Sequence, residues 1–165
     1  LMRERGRGHI ITMSSQAGIM ANPGTGYYSA TKYALEGFMD ALAKEVAPLG
    51  IRVSSVQPGA FRTDWSGRSL QRSDKRLPAY EDHVHGRLDM IAEMDGKQPG
   101  DPVRAAKIIV DLYAMEAPPV QLLLGAGVLA AYRNKISALQ ADLARWERLT
   151  LAADFPVDDA DGSGG

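Results

Sequence analysis

Tyr28-Ser-Ala-Thr-Lys32 is the stretch of this chain best suited to chemistry. On a helix, residues four apart lie one above the other. The spacing therefore sets a phenol beside an ammonium. A cation held there favours the phenolate, and a tyrosine so placed can pass a proton to or from an alcohol or carbonyl oxygen. Tyr27 has no lysine four residues on, so it is the weaker candidate. By itself the pattern Y-x-x-x-K also describes a solvated or packing pair.

The elements around the pair must hold it in place. Upstream, Gly8-His-Ile-Ile-Thr-Met-Ser-Ser-Gln-Ala-Gly18 reads as a buried strand, His9 to Met13, ending in a small polar loop with glycine. Asn22-Pro-Gly-Thr25 supplies turn and cap chemistry for a helix from about Gly26 to Ala47, which Pro48-Leu-Gly50 ends. Leu35, Met39, Leu42 and Val46 continue the face that begins with Tyr28 and Lys32, while Ala30, Ala34 and Ala41 form a second face of small side chains. Two such faces suit a helix that packs on a sheet and also against another helix, or one buried within a single subunit. A second strand, Ile51 to Gln57, breaks sharply at Pro58-Gly59.

Further on, Asp101-Pro102 is a good helix start, with Val103, Ala106, Val110 and Tyr113 as its expected buried face. Pro118-Pro119 stops that helix, and Val120 to Leu124 is a third short strand. Tyr132, Ile136, Leu139, Leu143 and Trp146 mark a last amphipathic helix. Strands alternating with helices are the pattern of a parallel sheet covered by helices.

Between Phe61 and Gly100 the pattern is less regular, with a helix predicted near Ala79 to Met94. Its apolar residues, Trp65, Leu70, Leu77, Tyr80, Val84, Leu88 and Ile91, either line an apolar pocket or form the buried face of a surface helix. Arg68 and Arg72 either meet an acidic substrate or are solvated. His83-Val-His85 lacks acidic or cysteine ligands at a recognised metal-site spacing, so no metal is expected.

Composition narrows the function classes. A formal net charge of −1 gives no sign of a nucleic-acid or membrane surface. The absence of cysteine removes disulfides, thiolate catalysis and cysteine metal sites, and suits a reducing, cytoplasmic setting. No run is long and apolar enough to span a bilayer, and the first residues do not look like a signal peptide.

Strand, serine loop, Tyr/Lys helix, strand and Pro-Gly-x-x-x-Thr, in this order, resemble the short-chain dehydrogenase/reductase family in its compact, single-domain branch. The resemblance runs from Gly8 to about Thr63, and Ser15 lies thirteen residues before Tyr28 as it requires. It implies an α/β fold, the C-terminal part of a doubly wound parallel-sheet Rossmann fold. The family's N-terminal nucleotide-binding βαβ unit is expected to be absent. Gly6-Arg-Gly8 is too short for its glycine-rich turn and precedes a strand rather than following one. Leu1-Met-Arg-Glu-Arg reads as the last turn of a helix already under way. Residues 1–153 then form the C-terminal portion of one catalytic domain, with a substrate lid at about 61–100 and a disordered tail at 154–165. The 165 residues alone are expected to bind dinucleotide poorly, to be inactive, and to expose an apolar sheet edge.

The implied activity is hydride transfer between NAD or NADP and a small alcohol or ketone. In it Tyr28 acts as general acid or base, Ser15 bonds the reacting oxygen, and Lys32 supports Tyr28 and the nicotinamide ribose. The resemblance also assigns Pro58, Gly59, Phe61 and Thr63 to the cofactor. The family often pairs the Tyr/Lys helix with a second subunit, which implies a homo-oligomer, dimer or tetramer. Two other functions share the motif: a nucleotide-sugar epimerase or dehydratase, and a non-catalytic dinucleotide sensor. The former usually carries a longer C-terminal domain, and the latter tends to lose the tyrosine or lysine.

Overall fold

The computed structural model describes residues 1–155. The backbone falls into two compact units, Leu1–Tyr132 and the segment from Arg133 onward. The first unit begins with a helical turn, α1 (Met2–Arg5), followed by strand β1 (Gly8–Met13), helix α2 (Gly26–Val46) and strand β2 (Ile51–Pro58). Helices α3 (Gly86–Glu93) and α4 (Pro102–Ala114) and strand β3 (Gln121–Leu124) complete it. Helix α5 (Ala126–Leu151) starts within this unit, directly after Gly125. The tail expected from Asp154 lies, beyond Phe155, outside the described residues.

All three strands are parallel, in the order β1-β2-β3. Gly8 pairs with Ile51 and Met13 with Val56, while Ser55 pairs with Gln121 and Pro58 with Leu124. The strand ends thus stay in step, and Met13, Pro58 and Leu124 finish at the same edge. Each predicted strand is present, longer or shorter by a residue at its ends. β1 ends in the serine loop rather than a glycine-rich phosphate turn.

Alternation along β2 divides the packing between two faces. Val56 packs with Leu112 of α4 and Leu124 of β3, and Ile11, Phe61, Ile109 and Leu122 gather around them. Ser55 and Gln57, one residue to either side, contact Glu36 of α2 instead. Helices α2 and α4 therefore cover opposite faces, as a doubly wound sheet requires. Thr12 of β1 follows the same alternation, donating to Met39 Sδ of α2 at 3.2 Å.

The α4 face differs from the expected one. Val103 and Tyr113 are 76% and 71% exposed, and Leu112 is fully buried instead. Ala105, Ile109 and Leu112 are spaced as an apolar stripe no less regular than the predicted one. Periodicity alone cannot choose between two stripes on a helix that is apolar most of the way round. Ala30, Ala34 and Ala41 of α2 are exposed, so this face of the helix is not buried within the chain. In the second unit, α5 carries the predicted stripe, and Leu139, Leu143 and Trp146 are exposed.

Glu36 is buried, and its carboxyl accepts from Ser55 Oγ at 2.7 Å and Gln57 Nε2 at 2.6 Å, with Gln121 Nε2 at 3.5 Å. Donors from β2 and β3 thus converge on one side chain of α2. On the opposite face, Ser54 Oγ donates to Pro119 O at 2.6 Å. His9 Nε2 lies 2.9 Å from that same Oγ, so it must supply the proton. The other ring nitrogen, Nδ1, is buried without a partner. A proton added there would find no acceptor. Burial and the nearby Arg52 accordingly hold the His9 imidazole below its ordinary value.

Glu36→Ala leaves two buried donors unpaired and is expected to destabilise the chain by about 2–4 kcal/mol in denaturant unfolding, with Glu36→Gln costing less. His9 stays neutral in the fold, whereas the unfolded chain takes up its proton below about pH 6.5. Stability is therefore expected to fall as pH drops through that value and on toward the lowered native one. In His9→Gln the unfolding midpoint should lose this dependence.

Candidate active site

Helix α2 brings Tyr28 and Lys32 to the C-terminal edge of the sheet. The Lys32 ammonium donates to Met13 O, the last carbonyl of β1, at 3.1 Å. It also lies 5.9 Å from the Tyr28 ring centroid. The i, i+4 spacing therefore does hold the two on one face, with the ammonium anchored to the strand end. Tyr28 is partly buried and packs against Trp65, with ring centroids 5.5 Å apart. Tyr27, at 96% exposed, points to solvent.

The serine loop closes the other side. Ser15 caps a 3-10 turn, Gln16–Gly18, and its Oγ accepts from Ala17 N at 3.1 Å. That bond uses a lone pair and leaves the hydroxyl proton available to donate. Ser14 is buried, and its Oγ has no partner. Gly18 is where the loop meets α2. A Cβ there would lie 2.9 Å from the Lys32 carbonyl and from Glu36 Cγ, and 3.0 Å from Ser14 Oγ. Helix and loop approach this closely only because the side chain is absent.

A cavity of about 500 Å³ opens between these elements. Ser15, Tyr28, Pro58, Gly59, Phe61 and Thr63 all line it, together with the strand ends Met13, Pro58 and Leu124. Lys32 is not among the lining residues and donates to the carbonyl of Met13, which is. Thr63 is exposed, and among the described residues its hydroxyl makes only a long contact of 3.5 Å with Trp65 N. Gly59 N donates to Leu124 O at 2.9 Å, which ties the Pro-Gly turn to β3.

The segment from Phe61 to Gly100 supplies part of the cavity lining and is joined at its base. Phe61 and Gly100 form a parallel bridge, in which Gly100 N donates to Ala60 O at 3.0 Å and Arg62 N to Gly100 O at 3.1 Å. The predicted single helix here is three pieces: a 3-10 turn (Pro78–Tyr80), a π turn (Glu81–His85) and α3. His85 Nε2 accepts from Leu77 N at 3.1 Å, a bond internal to this segment. The pocket reading holds for some of the apolar residues, and the helical pieces here bury no residue fully. Trp65 and Ile91 line the cavity, with Met90 and Met94, whereas Leu77 and Tyr80 lie outside it.

The arginines divide the same way. Arg68 pairs with Asp64, Arg72 with Asp89 at 3.5 Å, and Arg76 bridges Glu81 and Asp89. Arg76 holds both of those carboxyls below the usual carboxylate range. None of the three lines the cavity, but Arg87 does. Sequence reasoning passed over Arg87, and also Glu36 and Gln98. Glu36 had a signal, standing four residues after Lys32 and eight after Tyr28 on the same face. Gln98, 2% exposed, comes from far along the chain and had none.

Comparison with known proteins agrees with this architecture. The family model for short chain dehydrogenases matches residues 1–74. Oxidoreductase BOA17 of Botryotinia fuckeliana is 31% identical over 153 residues, which are 93% of this chain and 56% of that protein. The 3-ketodihydrosphingosine reductase of Bacteroides thetaiotaomicron is 33% identical over 146 residues, 88% of this chain and 54% of that one. In three dimensions, a short-chain dehydrogenase from Streptomyces avermitilis matches with a TM-score of 0.83 at 38% identity, covering 93% of this chain and 55% of that structure. The chain belongs to the short-chain dehydrogenase family. It spans about half the length of the relatives it matches. No described helix is long and apolar enough to cross a membrane.

Gly18→Ala is expected to force the serine loop away from α2, because the Lys32 carbonyl is helix backbone and cannot yield. A loss of about 1–3 kcal/mol is expected in denaturant unfolding. The effect should be absent in Gly26→Ala, where a Cβ meets nothing within 4 Å.

Proposed function

We propose that this cavity is the alcohol/carbonyl site of an oxidoreductase that uses NAD or NADP, with Tyr28 as the general acid or base. The observation that carries the reading is the convergence of Ser15, Tyr28 and the Pro58-Gly59 turn on one cavity at the C-terminal ends of parallel strands. Such a crevice is where open α/β sheets bind their ligands.

The residues present suit a nicotinamide nucleotide. Lys32 spends one of its three donors on Met13 O and keeps two for ribose hydroxyls. The Thr63 hydroxyl has a proton to give to a carboxamide or phosphate. Pro58, Gly59 and Phe61 would border the ring. When bound, the cofactor supplies or accepts the hydride.

In the reductive direction, Tyr28 gives its hydroxyl proton to the substrate oxygen as the carbonyl carbon becomes tetrahedral. Ser15 donates to the same oxygen and fixes its position. Lys32 stabilises the phenolate left behind. In oxidation the proton returns to Tyr28 and the substrate oxygen becomes a carbonyl. The segment 61–100 would serve as the lid over a small-molecule alcohol or ketone. We further infer a homo-oligomer joined through the exposed alanine face of α2, where Phe38 is also exposed, and a cytoplasmic setting, which the lack of cysteine suits.

In the intact protein, Tyr28→Phe is expected to lower ketone reduction by about 100-fold or more while binding of the reduced nicotinamide is retained. Both are read from the cofactor's own absorbance and fluorescence. Equal turnover in the variant would remove Tyr28 from the chemistry.

A further inference from the structure

We propose that the cavity takes an amphiphilic substrate whose oxyanion head group, a carboxylate or sulfate in chemical class, is met by Arg87. The proposal rests on the reading of this cavity as the substrate site and adds the class of molecule that enters it.

Two features of the lining carry it. The first is an apolar wall. Trp65, Met90, Ile91 and Met94 come from the segment between Phe61 and Gly100, and Ala105 and Ile109 from α4. A wall of this kind selects an apolar body and expels water from it. The second is a cation set into that wall without a counter-ion. Arg87 lines the cavity at the start of α3 and is half-buried. Its only bond among the described residues is Nη1 to the carbonyl of Pro23, at 3.2 Å. No carboxylate lies within ion-pair distance of it among the described residues, whereas Arg68, Arg72 and Arg76 are all paired with acids.

A guanidinium has five N–H donors and stays charged in proteins. One donor is used at Pro23, and the rest of the planar fork is left for a ligand. Burial already lowers Arg87 from its ordinary value, a sign that its charge is incompletely solvated. A ligand oxyanion restores what the wall withholds, and a bidentate arginine–oxyanion pair is among the stronger hydrogen-bonded contacts. Pro23 lies in the turn ahead of the Tyr28 helix, so the bond ties the guanidinium to the turn that leads into the helix carrying Tyr28. The head group and the reacting oxygen would then sit on one molecule, with its apolar part against Trp65 and the methionines.

Binding can be tested without turnover. Trp65 is one of two tryptophans in these 165 residues, so in a Trp146→Phe form of this chain the remaining indole reports on the cavity. Decanoate, decyl sulfate and decanol are titrated against Arg87 and Arg87→Gln forms, with circular dichroism to check the fold. Decanoate and decyl sulfate are expected to bind the Arg87 form about tenfold or more tightly than they bind Arg87→Gln, with decanol unchanged. Added salt should weaken the two anions and not the alcohol. Binding by one anion alone identifies which head group the site prefers. Equal anion affinity with and without Arg87, a tighter fit for decanol than for either anion, or no Trp65 response to any probe would each overturn the proposal. If Arg87→Gln loses its fold, Arg87→Lys decides the matter. It keeps the charge but not the fork, and intermediate anion affinity is expected. Because no cofactor or turnover enters, this result stands or falls separately from that of Tyr28→Phe.

Discussion

Glu36 is the side chain on which the placement of the site depends. β2 is the middle strand, covered on both faces, yet it carries Ser54, Ser55 and Gln57, all of them buried. Buried donors of this kind need acceptors. Glu36 supplies one acceptor group for Ser55 and Gln57 together, with Gln121 of β3 at longer range. The pairing has a direction. It fixes both the rotation of α2 and its position along the sheet, which a purely apolar contact would leave freer to slide. Lys32 and Tyr28 stand one and two turns nearer the helix start, so the same contact sets them at the strand ends. The Lys32 bond to Met13 O and the close fit at Gly18 then hold the serine loop against them.

The segment from Phe61 to Gly100 is built on different terms. It is closed at its base by backbone bonds between Ala60, Phe61, Arg62 and Gly100, and braced on its outer side by exposed arginine–carboxylate pairs. Exposed pairs of this kind add little stability. They do neutralise the arginines that take part in them. The charge that remains unneutralised on this segment's cavity side is Arg87, which lines the cavity together with Met90, Ile91 and Met94. An apolar wall interrupted by one cation is a more specific recognition surface than the wall alone.

Much of this is legible in the sequence. Strand, loop, helix and strand follow from short apolar runs, glycine and proline punctuation, and helical spacing. These are local signals, each carried within a few residues. The choice of Tyr28 over Tyr27 also follows from spacing, and the exposure of Tyr27 agrees with it. Where two local patterns competed, the reading failed. On α4 the stripe Val103, Ala106, Val110 and Tyr113 looked as apolar as Ala105, Ile109 and Leu112, and the sheet took the second. Between Phe61 and Gly100, a helical pattern from Ala79 to Met94 hid a π turn whose hydrogen bonding depends on its neighbours.

The sequence by itself determined which elements form and that a phenol and an ammonium share one helical face, because both properties depend on neighbours a few residues apart. Tertiary structure decided that the arginine reaching the cavity, Arg87, is one without a carboxylate partner, which side of α4 is buried, and that Glu36 and Gln98 belong to the site's surroundings. It also decided that Ser15, Tyr28, Pro58, Phe61 and Thr63 border a single cavity. These depend on contacts between residues far apart in the chain, made only when the strands align in parallel register and their ends come level.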